Sequence, residues 1–164
     1  MSTTFSASCK KTALLLVTEA LNKRVQAALI VVLFCIARFL VSCVPLRMWS
    51  ATLGVVAKCP PEQTIPSDET FSATHRLAVN VERVAARLPF ETRCLHRAMT
   101  LAWMLWSNGI SYNLKIAVRP SKARTGRDDL HAWVEAGGKI VLGDLPGPWA
   151  VIVVLAGREK FWRK

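Results

Sequence analysis

The stretch HAWVEAGGKIVLGD at residues 131–144 decides the fold of this chain, because it reads as two short strands joined by a two-residue turn. Gly137-Gly138 can adopt the positive backbone φ angles that a tight hairpin turn needs. Counting outward from that turn places His131 directly opposite Asp144 in an antiparallel pair. Opposed side chains in such a pair have Cβ atoms about 4.5–5.5 Å apart, so the imidazole and the carboxylate are predicted to form a hydrogen bond.

The same register predicts which hairpin residues share a face. The face of His131 and Asp144 would also carry Trp133, Glu135, Ile140 and Leu142, and the opposite face Ala132, Val134, Val141 and Gly143. Trp133 and Glu135 are therefore the candidates for substrate contact beside His131. Both faces are substantially apolar, so the hairpin is predicted to be covered on both sides. A slip of one residue would separate His131 from Asp144, so this prediction depends on the register.

A cysteine precedes the hairpin at the start of a predicted helix. Residues 93–107 have helical apolar spacing, Thr92 can cap this helix, and Asn108-Gly109 is typical of a helix end. Cys94 then lies in the first turn, where unpaired backbone N–H groups and the helix dipole stabilise a thiolate. His96 is predicted to be a surface residue on a different side of the helix.

These residue types suggest nucleophilic catalysis by a thiol. His131 would take the proton of Cys94 and later donate it to the leaving amine, while Asp144 would orient the ring. The backbone N–H of Cys94 or of Leu95 could hold the oxyanion. Asp128 or Asp129 could replace Asp144 as the orienting acid, although adjacent loop carboxylates are usually solvated.

The remaining periodicity predicts an α+β domain with an N-terminal helical extension. Residues 71–88 have helical spacing, residues 112–118 alternate as a strand, and the apolar run 150–155 is either a strand or a short buried helix. Three prolines mark residues 58–70 as a linker. We therefore predict an apolar helical extension at 1–57 and a catalytic core at 71–164.

Residues 27–44 are almost continuously apolar and contain one charge, Arg38. This segment is near the lower length limit of a membrane span, and a central arginine is costly there. We prefer a buried or interfacial helix that meets a partner, lipid or its own core, with the heads of Arg24, Arg38 and Arg47 at a polar boundary. Cys35 and Cys43 are predicted to be buried in it.

Composition limits the class of protein. The formal net charge is +11 over 164 residues, which favours acidic partners without selecting among them. Five cysteines are an odd number, and no Cys-x-x-Cys or His-x-x-x-His spacing offers a metal site. The first residues lack the pattern of a secretory signal. We expect a cytoplasmic protein with no metal and no nucleic-acid partner.

Several segments together resemble one family: Cys94-Leu95-x-Arg97-Ala98 at a helix start, the strand Ile116-Ala117-Val118-Arg119, the hairpin residues 131–138 and the following Asp144. They resemble the transglutaminase-like leader peptidase of lasso peptide biosynthesis, often called the B protein, over about residues 71–155. The resemblance implies a papain-like cysteine protease core with its nucleophile at a helix start on an antiparallel sheet. It also implies that Cys94 is the nucleophile, His131 the base and acid, and Asp144 the orienting acid, without a cofactor.

The resemblance further implies a place among partner proteins. The enzyme would remove the leader from a ribosomally made precursor peptide, and a cyclase resembling asparagine synthetase would then close the macrolactam. No β-rich recognition segment precedes the core, so a separate leader-recognition protein is expected. Two other functions remain open: acyl transfer to an amine on the same triad, and a non-catalytic basic scaffold at a membrane.

Overall fold

The computed structural model describes residues 4–57, 68–120 and 129–157, and it describes side chains from Asn22 onward. The elements are α1 (Thr4–Cys43), α2 (Leu46–Trp49), a 3-10 turn (Ser50–Leu53), β1 (Val55–Val56), α3 (Asp68–Ala85), α4 (Cys94–Ser107), β2 (Tyr112–Val118), β3 (Leu130–Ala136), β4 (Lys139–Leu142) and β5 (Ala150–Gly157).

The strands form one five-stranded sheet in the order β1-β5-β2-β3-β4, and each neighbouring pair is antiparallel. The apolar run at 150–155 is thus a strand, since it pairs with β2 rather than forming a helix. The predicted strand at 112–118 is confirmed as β2. Helices packed beside an antiparallel sheet confirm the α+β class.

The long helices cover one face of this sheet. Alternate residues of β2 and β3, including Leu114 and Val134, are fully buried in one core with Leu101 and Leu105 of α4. α3 adds the buried side of its apolar stripe, with Val81 at its centre. The opposite sheet face carries His131. The packing of α4 on the sheet therefore sets where its first residue, Cys94, lies relative to β3.

The described half of α1 contributes to the same core, because Ile30, Phe34 and Ala37 are fully buried against it. The division into an extension and a catalytic core stays a prediction, and residues 58–67 of the predicted linker lie outside the described residues. Cys35 and Cys43, predicted to be buried, are exposed. They occupy helix positions that turn away from the three buried side chains.

The hairpin has the predicted turn but not the predicted register. Glu135 pairs with Ile140 and Ala136 with Lys139, which makes Gly137-Gly138 the turn. The next pair is Val134 with Leu142, so Val141 is an extra residue in β4. Such a β-bulge moves every later residue of the bulged strand by one position.

The bulge overturns two expectations. The predicted direct opposition of His131 and Asp144 is wrong, because the pairing on the far side of Val141 is displaced by one residue. Leu142 likewise belongs to the core face with Val134, and not to the face of His131. The predicted covering of the hairpin on both faces holds for β3, where Ala132 and Trp133 are both buried, but not for β4, where Ile140 is 43% exposed.

Candidate active site

Cys94 lies where the start of α4 meets the start of β3. It is the first residue of the helix and is partly exposed. Its Sγ is 3.8 Å from the carbonyl oxygen of Leu130, the residue that precedes His131 in β3. The first-turn position of Cys94 is confirmed, and the fold brings the thiol to the strand that carries the histidine.

The residue before Cys94 caps the helix, and the prediction that Thr92 does so is wrong. The N-cap position is occupied by Arg93, whose extended backbone leads into the helix. Thr92 Oγ1 instead accepts a hydrogen bond from Arg97 Nε at 3.2 Å. The backbone N–H of Arg93 donates to His96 Nδ1 at 3.1 Å. The backbone N–H groups of the first turn have no carbonyl partner within the helix, as at any helix start.

His131 is held by a backbone carbonyl. Its side chain is buried, and its Nε2 lies 2.7 Å from the carbonyl oxygen of Gly143. A carbonyl oxygen can only accept, so Nε2 must carry the hydrogen of this bond. In the neutral ring Nδ1 is then the unprotonated nitrogen, which can accept a proton. The contact therefore leaves Nδ1 as the nitrogen of His131 that can act as a base.

Gly143 can hold this place only as a glycine. Its φ angle is 84°, and a Cβ there would lie 2.8 Å from the carbonyl oxygen of Ala132 and 3.1 Å from Trp133 Cα. The backbone of Gly143 thus approaches β3 too closely for any side chain. Sequence reasoning missed this residue, although a glycine at the end of a strand often marks a close backbone approach.

Two tryptophan rings flank the imidazole. The Trp133 ring stacks at 5.8 Å between centroids with an interplanar angle of 24°, and the Trp149 ring lies at 5.0 Å. Trp149 donates its Nε1 hydrogen to the carbonyl oxygen of Leu145, and the Arg119 guanidinium lies over its ring. Sequence reasoning also missed Trp149, because no periodic signal links it to β3. The rings restrict rotation of His131.

The predicted substrate contacts Trp133 and Glu135 are mostly buried and engage internal partners. Trp133 donates from Nε1 to Glu135 Oε1 at 2.8 Å, and Glu135 Oε2 forms an ion pair with Lys115 Nζ at 2.7 Å. Lys115 is the direct neighbour of Trp133 across β2 and β3. Glu135 therefore holds the Trp133 ring in place, and that ring stacks on His131.

Asp144, the carboxylate predicted to orient His131, is exposed and is not its hydrogen-bond partner among the described side chains. Asp128 lies outside the described residues, and the backbone oxygen of Asp129 accepts from Arg119 N–H. Within the same ranges no hydrogen bond joins the Cys94 thiol to the imidazole, a contact that is often loose before substrate binds.

His96 is buried, so its prediction as a surface residue is wrong. It stands at the third helical position and turns inward to accept the Arg93 N–H. Burial, together with the positive charges of Arg38 and Arg93, lowers the pKa of His96 from its usual 6.5. Its Nε2 is buried and has no hydrogen-bond partner among the described atoms.

Comparison with known families agrees with this arrangement. The model of the transglutaminase-like superfamily matches residues 35–156, well over half of the chain. The chain therefore belongs to the transglutaminase-like superfamily, whose members are typically cysteine-dependent enzymes. No curated protein and no solved structure matches it. In the described ranges no group of three or more His, Cys, Asp or Glu side chains could hold a metal ion.

The lowered pKa of His96 predicts a loss of stability on acidification. The unfolded chain takes up the proton near pH 6.5, whereas the folded protein does so only at lower pH. Stability present above that value is lost as the pH falls through the folded-state pKa. His96→Gln cannot titrate but can still accept the Arg93 N–H. We expect a smaller difference in unfolding free energy between about pH 7.5 and about pH 5.5 in this variant, measured by urea denaturation.

His75→Gln is the control for that experiment, because His75 is exposed on α3. This variant should keep the full pH dependence of the wild type. Equal pH dependence in His96→Gln and the wild type would contradict the assignment to His96.

A methyl group at Gly143 should displace the carbonyl that holds His131. We expect Gly143→Ala to slow alkylation of Cys94 by iodoacetamide roughly tenfold near neutral pH, because the imidazole that would activate the thiol loses the contact that orients it. Peptide mapping by mass spectrometry separates Cys94 from the other cysteines.

Gly138→Ala is the matched control, since Gly138 also has a positive φ of 76° but a Cβ there would meet nothing within 4 Å. Both variants carry similar backbone strain, about 1–2 kcal/mol. Equal loss of reactivity in the two would show that strain alone is responsible and would refute the role of the Gly143 carbonyl.

Proposed function

We propose that this protein is a cysteine peptidase that removes the leader from a lasso peptide precursor. The observation that carries the catalytic part is the 2.7 Å contact between His131 Nε2 and the Gly143 carbonyl oxygen, which leaves Nδ1 as the basic nitrogen. His131 lies on β3, the strand whose start lies against Cys94. Membership of the transglutaminase-like superfamily supports chemistry through a cysteine. The leader peptidase assignment rests on the sequence resemblance around Cys94, His131 and Asp144.

The reaction follows the usual course of thiol catalysis. His131 Nδ1 takes the proton of the Cys94 thiol, and the thiolate sulfur attacks the carbonyl carbon of the scissile peptide bond. Backbone N–H groups of Cys94 and Leu95 at the start of α4 stabilise the oxyanion. The C–N bond breaks as His131 donates its proton to the leaving amine. Water, deprotonated by His131, then hydrolyses the thioester and restores the thiol.

In this proposal two neighbouring residues, Gly143 and Asp144, share the role of the acid that orients His131 in a catalytic triad. The Gly143 carbonyl orients the ring by accepting the Nε2 hydrogen. Asp144, one residue later and exposed, contributes its negative charge to the imidazolium without a direct hydrogen bond. Exposed charges interact weakly because water and salt screen them. We therefore assign Asp144 a smaller share than an orienting acid in direct contact would have.

Charge supports the proposed partners. A net charge of +11 would attract an acidic leader segment or an acidic recognition protein. A separate recognition protein and an asparagine-synthetase-like cyclase complete the proposed pathway in the cytoplasm. The same acyl-enzyme could instead pass its acyl group to an amine, an alternative that superfamily membership favours equally.

Replacing the nucleophile tests the proposal. Cys94→Ala should abolish cleavage of the precursor, because no other group can form the thioester, with a loss of at least about a thousandfold. Cys43→Ala, at an exposed position of α1, should cleave at the wild-type rate. Mass spectrometry of the product separates hydrolysis from acyl transfer, since transfer retains the mass of the amine. Full maturation by Cys94→Ala would favour the non-catalytic scaffold.

Substitution of Asp144 tests how much its carboxylate contributes beside the Gly143 carbonyl. Asp144→Asn removes the charge and keeps the size, and we expect kcat to fall less than about tenfold, with a loss that shrinks at high salt. The exposed Asp68→Asn on α3 controls for a change in net charge. A loss near 10⁴-fold, typical of a directly bonded orienting acid, would contradict the assignment.

A further inference from the structure

A cationic cavity lies between α1 and α3, on elements that the catalytic proposal does not use. Its volume is about 360 Å³. Four basic side chains line it: Lys23, Arg24, Arg83 and Arg87. Ala27, Ile30 and Val84 add an apolar part to its wall. A cavity of this composition fits a ligand that combines an anionic group with hydrocarbon.

Among the residues whose side chains the structure describes, no acidic group neutralises the positive charges in this cavity. None of the four basic side chains forms an ion pair with any residue whose side chain the structure describes. Arg83 Nη1 donates to Asn80 Oδ1, and Asn80 Nδ2 donates to Gln26 Oε1, which are neutral contacts. The lining includes no acidic residue. Clustered cations of one sign raise the local concentration of an anion.

Among the residues whose side chains the structure describes, α1 also presents an exposed apolar surface on the side of the helix opposite the cavity. Its outward stripe consists of Val25, Leu29, Val32, Ile36 and Phe39, which are 42–61% exposed. No charged residue interrupts the sequence between Arg24 and Arg38. Residues Asn22–Cys43 form a helix long and apolar enough to cross a membrane by length and composition alone. One side of this helix, however, is packed on the core through Ile30, Phe34 and Ala37.

We propose that the outward stripe of α1 lies in the surface of a bilayer and that the basic side chains of the cavity, on the other side of the helix, lie at the level of the headgroups of anionic phospholipids. A helix that is apolar on all sides needs cover on all sides, and the core covers only one of them here. The packed side prevents lipid from surrounding the helix. A helix that lies parallel to the bilayer surface covers the stripe and leaves the packed side on the core. The stripe is then in the acyl region and the cations are at the headgroups.

The chemistry of the stripe favours lipid over a protein partner. Protein interfaces carry about one hydrogen bond per 100–200 Å². The stripe offers no side-chain donor or acceptor over about 21 Å of helix. A second copy of this chain would also bring together two chains with a formal net charge of +11 each, which repel. An anionic bilayer needs no hydrogen bonds and attracts the charge.

Cosedimentation of the full chain with vesicles tests the proposal. The wild type should bind vesicles of phosphatidylcholine mixed with phosphatidylglycerol and should not bind vesicles of phosphatidylcholine alone. Arg83→Gln/Arg87→Gln should weaken binding about tenfold or more, because each basic residue near an anionic surface adds to the affinity. Arg76→Gln/Lys139→Gln removes the same charge at exposed positions outside the cavity and should weaken binding less than about threefold.

A second pair of double variants tests the outward stripe of α1. Leu29→Gln/Ile36→Gln should weaken binding to the mixed vesicles about tenfold or more. Val56→Gln/Ile152→Gln, at sites on β1 and β5 that are at least as exposed, should not. All four double variants alter exposed residues, and thermal unfolding checks that each of them folds.

Three results would overturn the proposal. They are absence of binding to the mixed vesicles, equal loss in the cavity variant and its charge control, and a dimer in sedimentation velocity that Leu29→Gln/Ile36→Gln dissociates. Absence of vesicle binding together with binding of inorganic phosphate would identify a site for the free anion. The dimer would identify a second copy as the occupant of the stripe.

Discussion

The hydrogen bond from His131 Nε2 to the Gly143 carbonyl is the constraint on which the candidate site depends. It determines which ring nitrogen carries the hydrogen, and therefore which nitrogen can act as a base. Its geometry requires a backbone that approaches β3 more closely than a side chain allows, and Gly143 meets this requirement. The two flanking tryptophan rings then limit rotation of the imidazole. A backbone group thus takes a part that the sequence suggested for a carboxylate.

The sequence predicted those features that depend on local patterns. Alternation identified β2, the glycine pair identified the β3–β4 turn, and helical spacing placed Cys94 at the start of α4. The α+β class followed from the order of these elements. Each of these signals lies within a short window of sequence, where periodicity and turn preference act directly.

The features that the sequence did not predict depend on tertiary contacts. The bulge at Val141 leaves no periodic signal, and it changes the partner of every later residue of β4. Trp149 reaches His131 from a distant segment. His96 is drawn inward by the Arg93 N–H, which helical spacing alone did not indicate. The hydrogen-bond partner of His131 is the carbonyl of Gly143, one residue before the carboxylate that the sequence suggested.

The central claim can be tested without a substrate, by long-range ¹H–¹⁵N NMR of ¹⁵N-histidine-labelled protein, with His131→Gln to assign the signals. The account predicts that neutral His131 is the Nε2–H tautomer, with an unprotonated Nδ1, and that Gly143→Ala weakens this preference. A neutral His131 that carries its hydrogen on Nδ1 in the wild type would contradict the account, because that ring could neither donate to Gly143 nor accept a proton from Cys94 at Nδ1.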